Sequence, residues 1–339
     1  MPSYPITYIP AFLLSLTSLF VLTGCNQAGR DGVSKDQSKP YIAAEIPLFN
    51  ADSAYDYVAA QVNFGPRVNN SKAHEACVAY LTEKLKEFST DVIVQSGTVS
   101  AFDGTPLAFQ NIIATFGPEG NNRILLGAHW DSRPFADQDP DEGNFYKAID
   151  GANDGASGVG VLLEIARQLS KKPPPVGVDI ILFDAEDYGP PEALQDNRNS
   201  GEFWGLGSQY WAKNPHHPDY YAKYGILLDM VGASGATFPM EGFSMEYAPH
   251  VVKKVWNIGN LLGYSSYFLF QRGGYITDDH YYVIRDRGIP MIDIIHLDQN
   301  SENGMYRHWH TLEDNLDKID PGTLQVVGQT LLTVIYSER

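Results

Sequence analysis

The chain has 339 residues, of which 43% are hydrophobic, and this supplies enough apolar material for one large core. Its 41 acidic residues outnumber the 24 basic ones and give a formal net charge of -17. This charge argues against a nucleic-acid partner, which needs a basic surface, and against electrostatic docking on anionic lipid.

An apolar run from Ile9 to Leu22 stands near the N-terminus and is followed by Thr23-Gly24-Cys25. The run has the length of a signal-peptide core and is too short for a membrane-spanning helix. Small residues before a cysteine resemble a bacterial lipobox, whose cysteine is lipidated after cleavage. We therefore expect a lipoprotein signal peptide over residues 1–24 and a lipid on Cys25; an ordinary signal peptide or an anchor helix is the alternative.

A lipid on Cys25 predicts a periplasmic protein anchored to a bacterial membrane. Asn26, rather than an acidic cluster, follows the cysteine, and we therefore favour the outer membrane. Residues 25–39 are polar and contain glycine, which predicts a flexible tether after the lipidated cysteine. Residues 40–339 contain no repeat and no second linker, so we expect them to form one domain. The other cysteine, Cys77, lies in a helical pattern with Leu81 and predicts a buried, inert thiol.

Helices and strands alternate along the rest of the chain. In chain order we predict helices over 53–64 and 71–88, strands over 91–99, 110–116 and 123–128, a helix over 158–169, strands over 178–183 and 225–231, a helix over 249–262, a central strand over 290–297 and a helix over 321–336. This order predicts a single α/β domain with a central, twisted, mostly parallel mixed sheet flanked by helices.

Clusters of carboxylate and imidazole groups follow several of these strands. In an open α/β sheet, ligands bind beyond the carboxyl ends of the strands, and mixed acidic and histidine ligands suit zinc. Two loops, 189–203 and 297–309, are expected to rim the same crevice. The clusters are His129-Trp130-Asp131, Asp150 to Gly155, Asp184 to Asp187, and His308-Trp309-His310.

Each cluster also has a purely structural interpretation. Asp154 precedes a helix, so it could be an N-cap rather than a metal ligand. Glu186 and Asp187 are adjacent, so one could bind metal while the other, with a raised pKa, transfers protons; a solvated acidic turn is the alternative. His310 could be a ligand or a structural histidine. Asp229 ends an apolar strand, where a charge needs a partner.

Taken in order, these motifs resemble the zinc aminopeptidase superfamily. The segments Ile276-Thr277-Asp278-Asp279-His280 and Trp309-His310-Thr311 resemble, within it, the animal-type glutaminyl-peptide cyclotransferases, or glutaminyl cyclases. The resemblance runs from about residue 50 to the end of the chain. It implies that residues 40–339 form a zinc-dependent catalytic domain, which converts the N-terminal glutamine of peptides or proteins to pyroglutamate and releases ammonia.

The resemblance also implies a role for each site residue. One zinc per chain would be bound by Asp154, Asp187 and His310 and would polarise the side-chain carbonyl of the substrate. Glu186 would be the proton shuttle, and Asp229 and Asp278 would form a hydrogen-bonded acidic pair beside it. The remaining residues would wall the substrate pocket; they are Trp204, Ile276 and Trp309. The family usually has glutamate where this chain has Asp187, which is one methylene shorter.

Two other functions remain open. A two-zinc aminopeptidase would add a second metal at His129 and Asp229, with Asp154 bridging and Glu186 activating water. A catalytically inactive binding lipoprotein is the third hypothesis, and the presence of both Glu186 and His310 argues against it. For the cyclase we expect peptide substrates with N-terminal glutamine, a membrane contact only through the lipid, no nucleic acid, and a monomer.

Overall fold

A six-stranded mixed sheet forms the centre of the computed structural model, which describes residues 42–43, 45–191, 194 and 200–339. The strands are β1 Val92–Ser100, β2 Pro106–Phe116, β3 Arg123–His129, β4 Gly177–Phe183, β5 Gly225–Asp229, β6 Phe238–Met240, β7 Phe268–Arg272 and β8 Met291–Ile295. Their order in the large sheet is β1-β2-β4-β3-β5-β8; β4, β3, β5 and β8 run parallel, while β2 pairs antiparallel with both β1 and β4. A second sheet contains β6 and β7.

Helices cover both faces of the large sheet, which confirms the predicted single-domain α/β class. The helices are α1 Ala51–Val62, α2 Lys72–Phe88, α3 Ala156–Lys171, α4 Leu206–Lys213, α5 Gly242–Tyr247, α6 Pro249–Leu261, α7 Asp279–Tyr282 and α8 Pro321–Tyr336. Helices α1, α2, α3, α6 and α8 pack on one face, while α4 and the turn after α7 pack on the other.

Burial on both faces explains the apolar strands of the sequence. In β4, Val178 and Ile180 pack in the core under α3, while Ile181 and Phe183 pack against Trp211 of α4. All seven residues of β4 are buried. A parallel strand covered on both sides has no solvent face, and its sequence therefore shows no polar alternation.

Three short helices and the small sheet were not predicted. Helices α4, α5 and α7 have eight, six and four residues, which is below the length at which a helix is stable without tertiary packing. Strand β8 was predicted to be central, and this was wrong because it lies at the edge of the sheet. It is nevertheless buried: the Ser244 hydroxyl of α5 accepts from the backbone N–H of Asp293, which covers the strand's free edge.

Several sequence predictions fall outside the described residues. They are the signal peptide, the lipidated Cys25, the tether, and residues 192–193 and 195–199 of the loop predicted over 189–203. In the part of the chain that the structure describes, none of the helices combines the length and apolarity needed to cross a bilayer. Cys77 is fully buried in the core, where burial raises the pKa of its thiol to about 12, as expected for an inert cysteine.

A buried ion pair joins two strands at the end of the sheet opposite the histidine and carboxylate clusters. Arg123 Nε lies 2.7 Å from Asp179 Oδ2, and Arg123 Nη2 lies 2.7 Å from Asp179 Oδ1. The Tyr220 hydroxyl and the Thr115 hydroxyl also donate to this carboxylate, which is only 1% exposed. Removing one partner of a buried pair leaves an uncompensated charge.

Replacing Arg123 with alanine is expected to lower the free energy of unfolding by about 3 kcal/mol, because it leaves Asp179 charged and buried. Chemical denaturation measures this change. Lys86→Ala is the matched control, because Lys86 and Glu83 form a solvent-exposed pair that contributes little. Equal stability of the two variants would contradict the assigned role of the buried pair.

Candidate active site

The predicted site residues converge at the carboxyl ends of three neighbouring strands. His129 is the last residue of β3, Asp229 is the last residue of β5, and Glu186 and Asp187 follow shortly after β4. Strands β4, β3 and β5 are adjacent and parallel, so these side chains must emerge at one edge of the sheet. The turn with Asp154 and the loop with His310 complete the cluster.

Asp154 is not a helix cap. The N-cap of α3 is Gly155, and no side chain caps this helix. The carboxylate of Asp154 instead points between two histidines, with Oδ1 3.0 Å from His129 Nε2 and Oδ2 3.6 Å from His310 Nε2. The Asp314 carboxylate accepts from the backbone N–H groups of Asn153 and Asp154 at 3.0 and 3.1 Å, which holds this turn in place.

Gly155 has to be glycine for a steric reason. A Cβ atom at this position would meet the carbonyl oxygen and the ring of His129. The turn can therefore approach β3 only because residue 155 lacks a side chain, and this brings Asp154 to the strand ends.

Asp154, Asp187 and His310 have the chemistry and spacing of a zinc site. His310 Nε2 lies 3.3 Å from Asp187 Oδ1, and it lies 3.6 Å from Asp154 Oδ2. Ligand atoms of a tetrahedral zinc are about 3.4 Å apart, given the usual bond lengths. Asp154 Oδ2 and Asp187 Oδ2 are buried and have no hydrogen-bond partner among the described residues. These three residues therefore fit a metal ion, and the shorter side chain of Asp187 still brings a carboxylate oxygen within 3.3 Å of His310 Nε2.

His129, Asp154 and Asp229 form a second group of possible ligands. His129 Nε2 lies 3.0 Å from Asp154 Oδ1 and 3.4 Å from Asp229 Oδ1. Both oxygens of Asp154 thus face histidines, one in each group, as the two-zinc alternative requires. Each of the two groups thus has the spacing of a possible metal site.

The Asp131 carboxylate binds the backbone of Glu186 and Asp187. Its two carboxylate oxygens accept from the backbone N–H groups of Glu186 and Asp187, each at 3.1 Å, while Oδ1 lies 3.6 Å from His129 Nδ1. Glu186 is only 8% exposed and Asp187 is 1% exposed. The alternative of a solvated acidic turn is therefore wrong.

Four carboxylic groups on the cavity wall have raised pKa values, namely those of Glu186, Asp187, Asp229 and Asp278. Burial, and then the charge of Asp278, raises the pKa of Glu186 well above its usual range. Burial raises the pKa of Asp229 to about 7, with contributions from Asp154 and Asp278, and burial also raises the pKa of Asp278. Asp229 and Asp278, which are expected to form a hydrogen-bonded acidic pair, line the same cavity, and the charge of Asp278 contributes to the raised pKa of Asp229.

The predicted pocket residues enclose a cavity of about 230 Å³. The indole of Trp309 stacks on His310 at 3.7 Å between ring centroids, and Trp204 lies nearly parallel to the same imidazole at 6.1 Å. Ile276 completes the predicted wall. Sequence reasoning missed the other lining residues, which carry no pattern of their own: Tyr275, Thr277, Ile295 and Met305.

Not every residue of the predicted clusters belongs to the site. Asp184 is buried behind it, where its carboxylate lies 2.9 Å from His74 Nε2 and accepts from Asn69 and from the backbone of Gln110. His308 does not line the cavity. Both residues were grouped with the site only because they stand next to its motifs.

Backbone strain is concentrated here. Of the non-glycine residues that the structure describes, four have positive φ, and three of them are Ala185 at 53°, Met230 at 50° and His310 at 56°. Ala185 precedes Glu186, and Met230 follows Asp229. L-residues avoid this region, and such strain often marks functional sites, where the surrounding structure enforces it.

Comparisons with known proteins show similarity to glutaminyl cyclases and to a zinc exopeptidase. A glutaminyl-peptide cyclotransferase of Bos taurus is 27% identical over 300 residues, which cover 78% of this chain and 76% of that relative. The crystal structure of Bacteroides thetaiotaomicron glutaminyl cyclase bound to N-acetylhistamine is 52% identical, with a TM-score of 0.84 over 87% of this chain and 100% of that chain. A Zn-dependent exopeptidase from Parabacteroides distasonis is 54% identical, with a TM-score of 0.84 over 86% of this chain and 99% of that chain.

These relatives confirm the resemblance to the glutaminyl cyclases and to zinc exopeptidases of the same fold. The sequence profile of peptidase family M28 matches residues 111–335, which contain every residue of the cavity wall and both groups of possible metal ligands. This chain therefore belongs to peptidase family M28.

Proposed function

We propose that this protein is a zinc-dependent glutaminyl cyclase, which converts N-terminal glutamine of peptides and proteins to pyroglutamate and releases ammonia. The observation that carries the proposal is Glu186, a buried carboxylate that lines the cavity beside the metal-ligand group. Solved relatives at about half identity are glutaminyl cyclases. Asp278 and Trp309, which carry the resemblance to that family, line the same cavity.

Glu186 is the proton shuttle of the reaction. It accepts a proton from the α-amino group of the substrate, whose nitrogen then attacks the side-chain amide carbon and closes a five-membered lactam. Glu186 returns that proton to the departing amide nitrogen, which leaves as ammonia when its bond to carbon breaks. A carboxylate with a raised pKa is a stronger base and suits this double role near neutral pH.

The other residues bind and orient the substrate. Asp229 and Asp278 line the cavity with Glu186, and a proton shared between them would let the pair accept a hydrogen bond from the α-amine and donate one to the leaving group. Trp204, Ile276 and Trp309 hold the glutamine side chain and exclude water. Because the reaction is intramolecular, fixing this geometry supplies much of the rate enhancement.

One zinc ion per chain, held by Asp154, Asp187 and His310, would supply Lewis-acid polarisation of the side-chain carbonyl. Every proposed ligand and wall residue belongs to one chain, so a monomer suffices. The two-zinc aminopeptidase is the second candidate, because His129 and Asp229 form a further ligand group with Asp154. The two functions differ in product: the cyclase leaves the peptide bond intact, whereas the aminopeptidase cleaves it.

We also propose that the enzyme is tethered to the periplasmic side of a bacterial membrane, in our preferred assignment the outer membrane. Support comes from the sequence alone, in the apolar run that ends before Thr23-Gly24-Cys25 and in the polar residues that follow. The tether would let a soluble catalytic domain act on peptides near the membrane surface.

Glu186→Gln is expected to lower kcat for ammonia release from a glutaminyl peptide by about 100- to 10,000-fold, because it removes the proton acceptor. The zinc content should not change, since the neighbouring Asp187 is the proposed ligand. A coupled ammonia assay and elemental analysis of the same sample measure both quantities. A variant with nearly normal turnover would exclude Glu186 as the shuttle.

His310→Gln is expected to weaken zinc binding strongly, because it removes the only nitrogen ligand of the proposed set. His308→Gln is the matched control, since His308 stands two residues away and does not line the cavity. Competition with a zinc chelator measures the dissociation constant of each variant. Equal affinities would remove His310 from the ligand set.

Cys25→Ala in the full chain is expected to release the protein from the membrane fraction, because the lipid anchor can no longer be attached. Cys77→Ala is the control, as this thiol lies in the core. Fractionation of the bacterial cells, with detection of the protein in each fraction, measures the effect. Retention of the Cys25 variant in the membrane would instead point to an uncleaved anchor helix.

A further inference from the structure

The segment from Asp137 to Asp139 binds the loop that carries His310 at two points, His310 itself and Leu312. The backbone N–H of Gln138 donates to the carbonyl oxygen of His310 at 3.1 Å. Asp139 Oδ2 accepts from the backbone N–H of Leu312 at 3.1 Å. These two bonds fix the backbone of a residue with positive φ, which would otherwise relax to a more favourable conformation.

The imidazole of His310 has a carboxylate on its outer side. Its Nδ1 atom is buried and lies 3.4 Å from Asp137 Oδ1, while Nε2 faces Asp154 and Asp187. The 3.4 Å distance between His310 Nδ1 and Asp137 Oδ1 is slightly longer than that of a typical N–H···O hydrogen bond. A histidine that binds metal through one ring nitrogen usually donates its other N–H to a carboxylate or carbonyl, which fixes its tautomer.

A single buried arginine connects Asp137 to a second ligand. Arg133 is fully buried, and its Nε and Nη2 atoms donate to the two carboxylate oxygens of Asp137 at 2.7 and 2.9 Å. Its Nη1 atom also donates to the carbonyl oxygen of Asp187 at 3.0 Å. The guanidinium lies 4.9 Å from the ring of Trp204. Arg133 therefore contacts the partner of one proposed ligand, the backbone of another, and one pocket wall.

We propose that Asp137, held by Arg133, is a positioning residue that keeps His310 in the tautomer and orientation needed to bind zinc through Nε2. This inference rests on the ligand set of the proposed function. It adds two residues, Arg133 and Asp137, that do not line the cavity of about 230 Å³ described above. With Nδ1 protonated and donating to Asp137, the lone pair of Nε2 is free for the metal. The planar fork of arginine fixes the carboxylate plane, which a lysine at residue 133 could not do.

Asp137→Asn tests this proposal with little change in volume. The variant is expected to bind zinc about 10- to 100-fold more weakly, as found when such outer partners are altered, because the amide is a weaker acceptor than the carboxylate. Asp141→Asn is the matched control in the same loop, because Asp141 is exposed and its carboxylate accepts from the backbone N–H of Gly143. Chelator competition gives both dissociation constants, and circular dichroism of the metal-free forms checks the fold. Equal zinc affinities of the two folded variants would overturn the proposal.

A measurement on the unaltered protein keeps the proposal testable if Asp137→Asn does not fold. Nitrogen-15 spectra of the zinc-loaded, histidine-labelled chain should show one imidazole, absent in His310→Gln, with metal on Nε2 and a slowly exchanging proton on Nδ1. Metal on Nδ1, or a rapidly exchanging Nδ1 proton, would overturn the positioning role. A wild-type chain that binds no zinc would instead contradict the proposed function, so the two failures are distinguishable.

Discussion

Crowding of negative charge at one edge of the sheet is the constraint on which this site depends. The carboxylates of Asp154, Glu186, Asp187, Asp229 and Asp278 share a small, buried space. Carboxylates without water or a cation resist ionisation, and most of these groups accordingly have raised pKa values. A cation bound at this edge would relieve the repulsion for the groups nearest to it, while the more distant carboxylic groups would keep raised pKa values. The same crowding thus favours both a metal ligand set and an acid–base set.

The fold maintains this arrangement through polar contacts behind the site. Asp131 holds the backbone of Glu186 and Asp187, Asp314 holds the turn with Asp154, and Arg133 contacts Asp187 and the partner of His310. Most of these contacts are made to backbone or to an outer ring atom; Arg133 in addition lies 3.5 Å from Asp187 Oδ1. Strained backbone at Ala185, Met230 and His310 persists because these contacts and the packed sheet hold it.

The sequence predicted the strand ends and the residues on them, because buried parallel strands and acidic clusters leave strong local patterns. It could not show that Asp154 faces two histidines instead of capping α3, since both roles suit the same residue and turn. It also missed Asp137, which contacts His310 more than 170 residues away along the chain, and Arg133, which binds the Asp137 carboxylate. The edge position of β8 was mistaken because an apolar run reports burial, which α5 provides, and not the place of a strand in the sheet.

The most direct test combines product analysis with metal counting on the purified chain without residues 1–25. A peptide with N-terminal glutamine is incubated with the enzyme, and mass spectrometry follows the peptide while elemental analysis counts zinc per chain. The account predicts loss of ammonia with every peptide bond intact and one zinc per chain. Release of the free first residue, with two zinc ions per chain, would contradict it and assign His129 and Asp229 to a second metal.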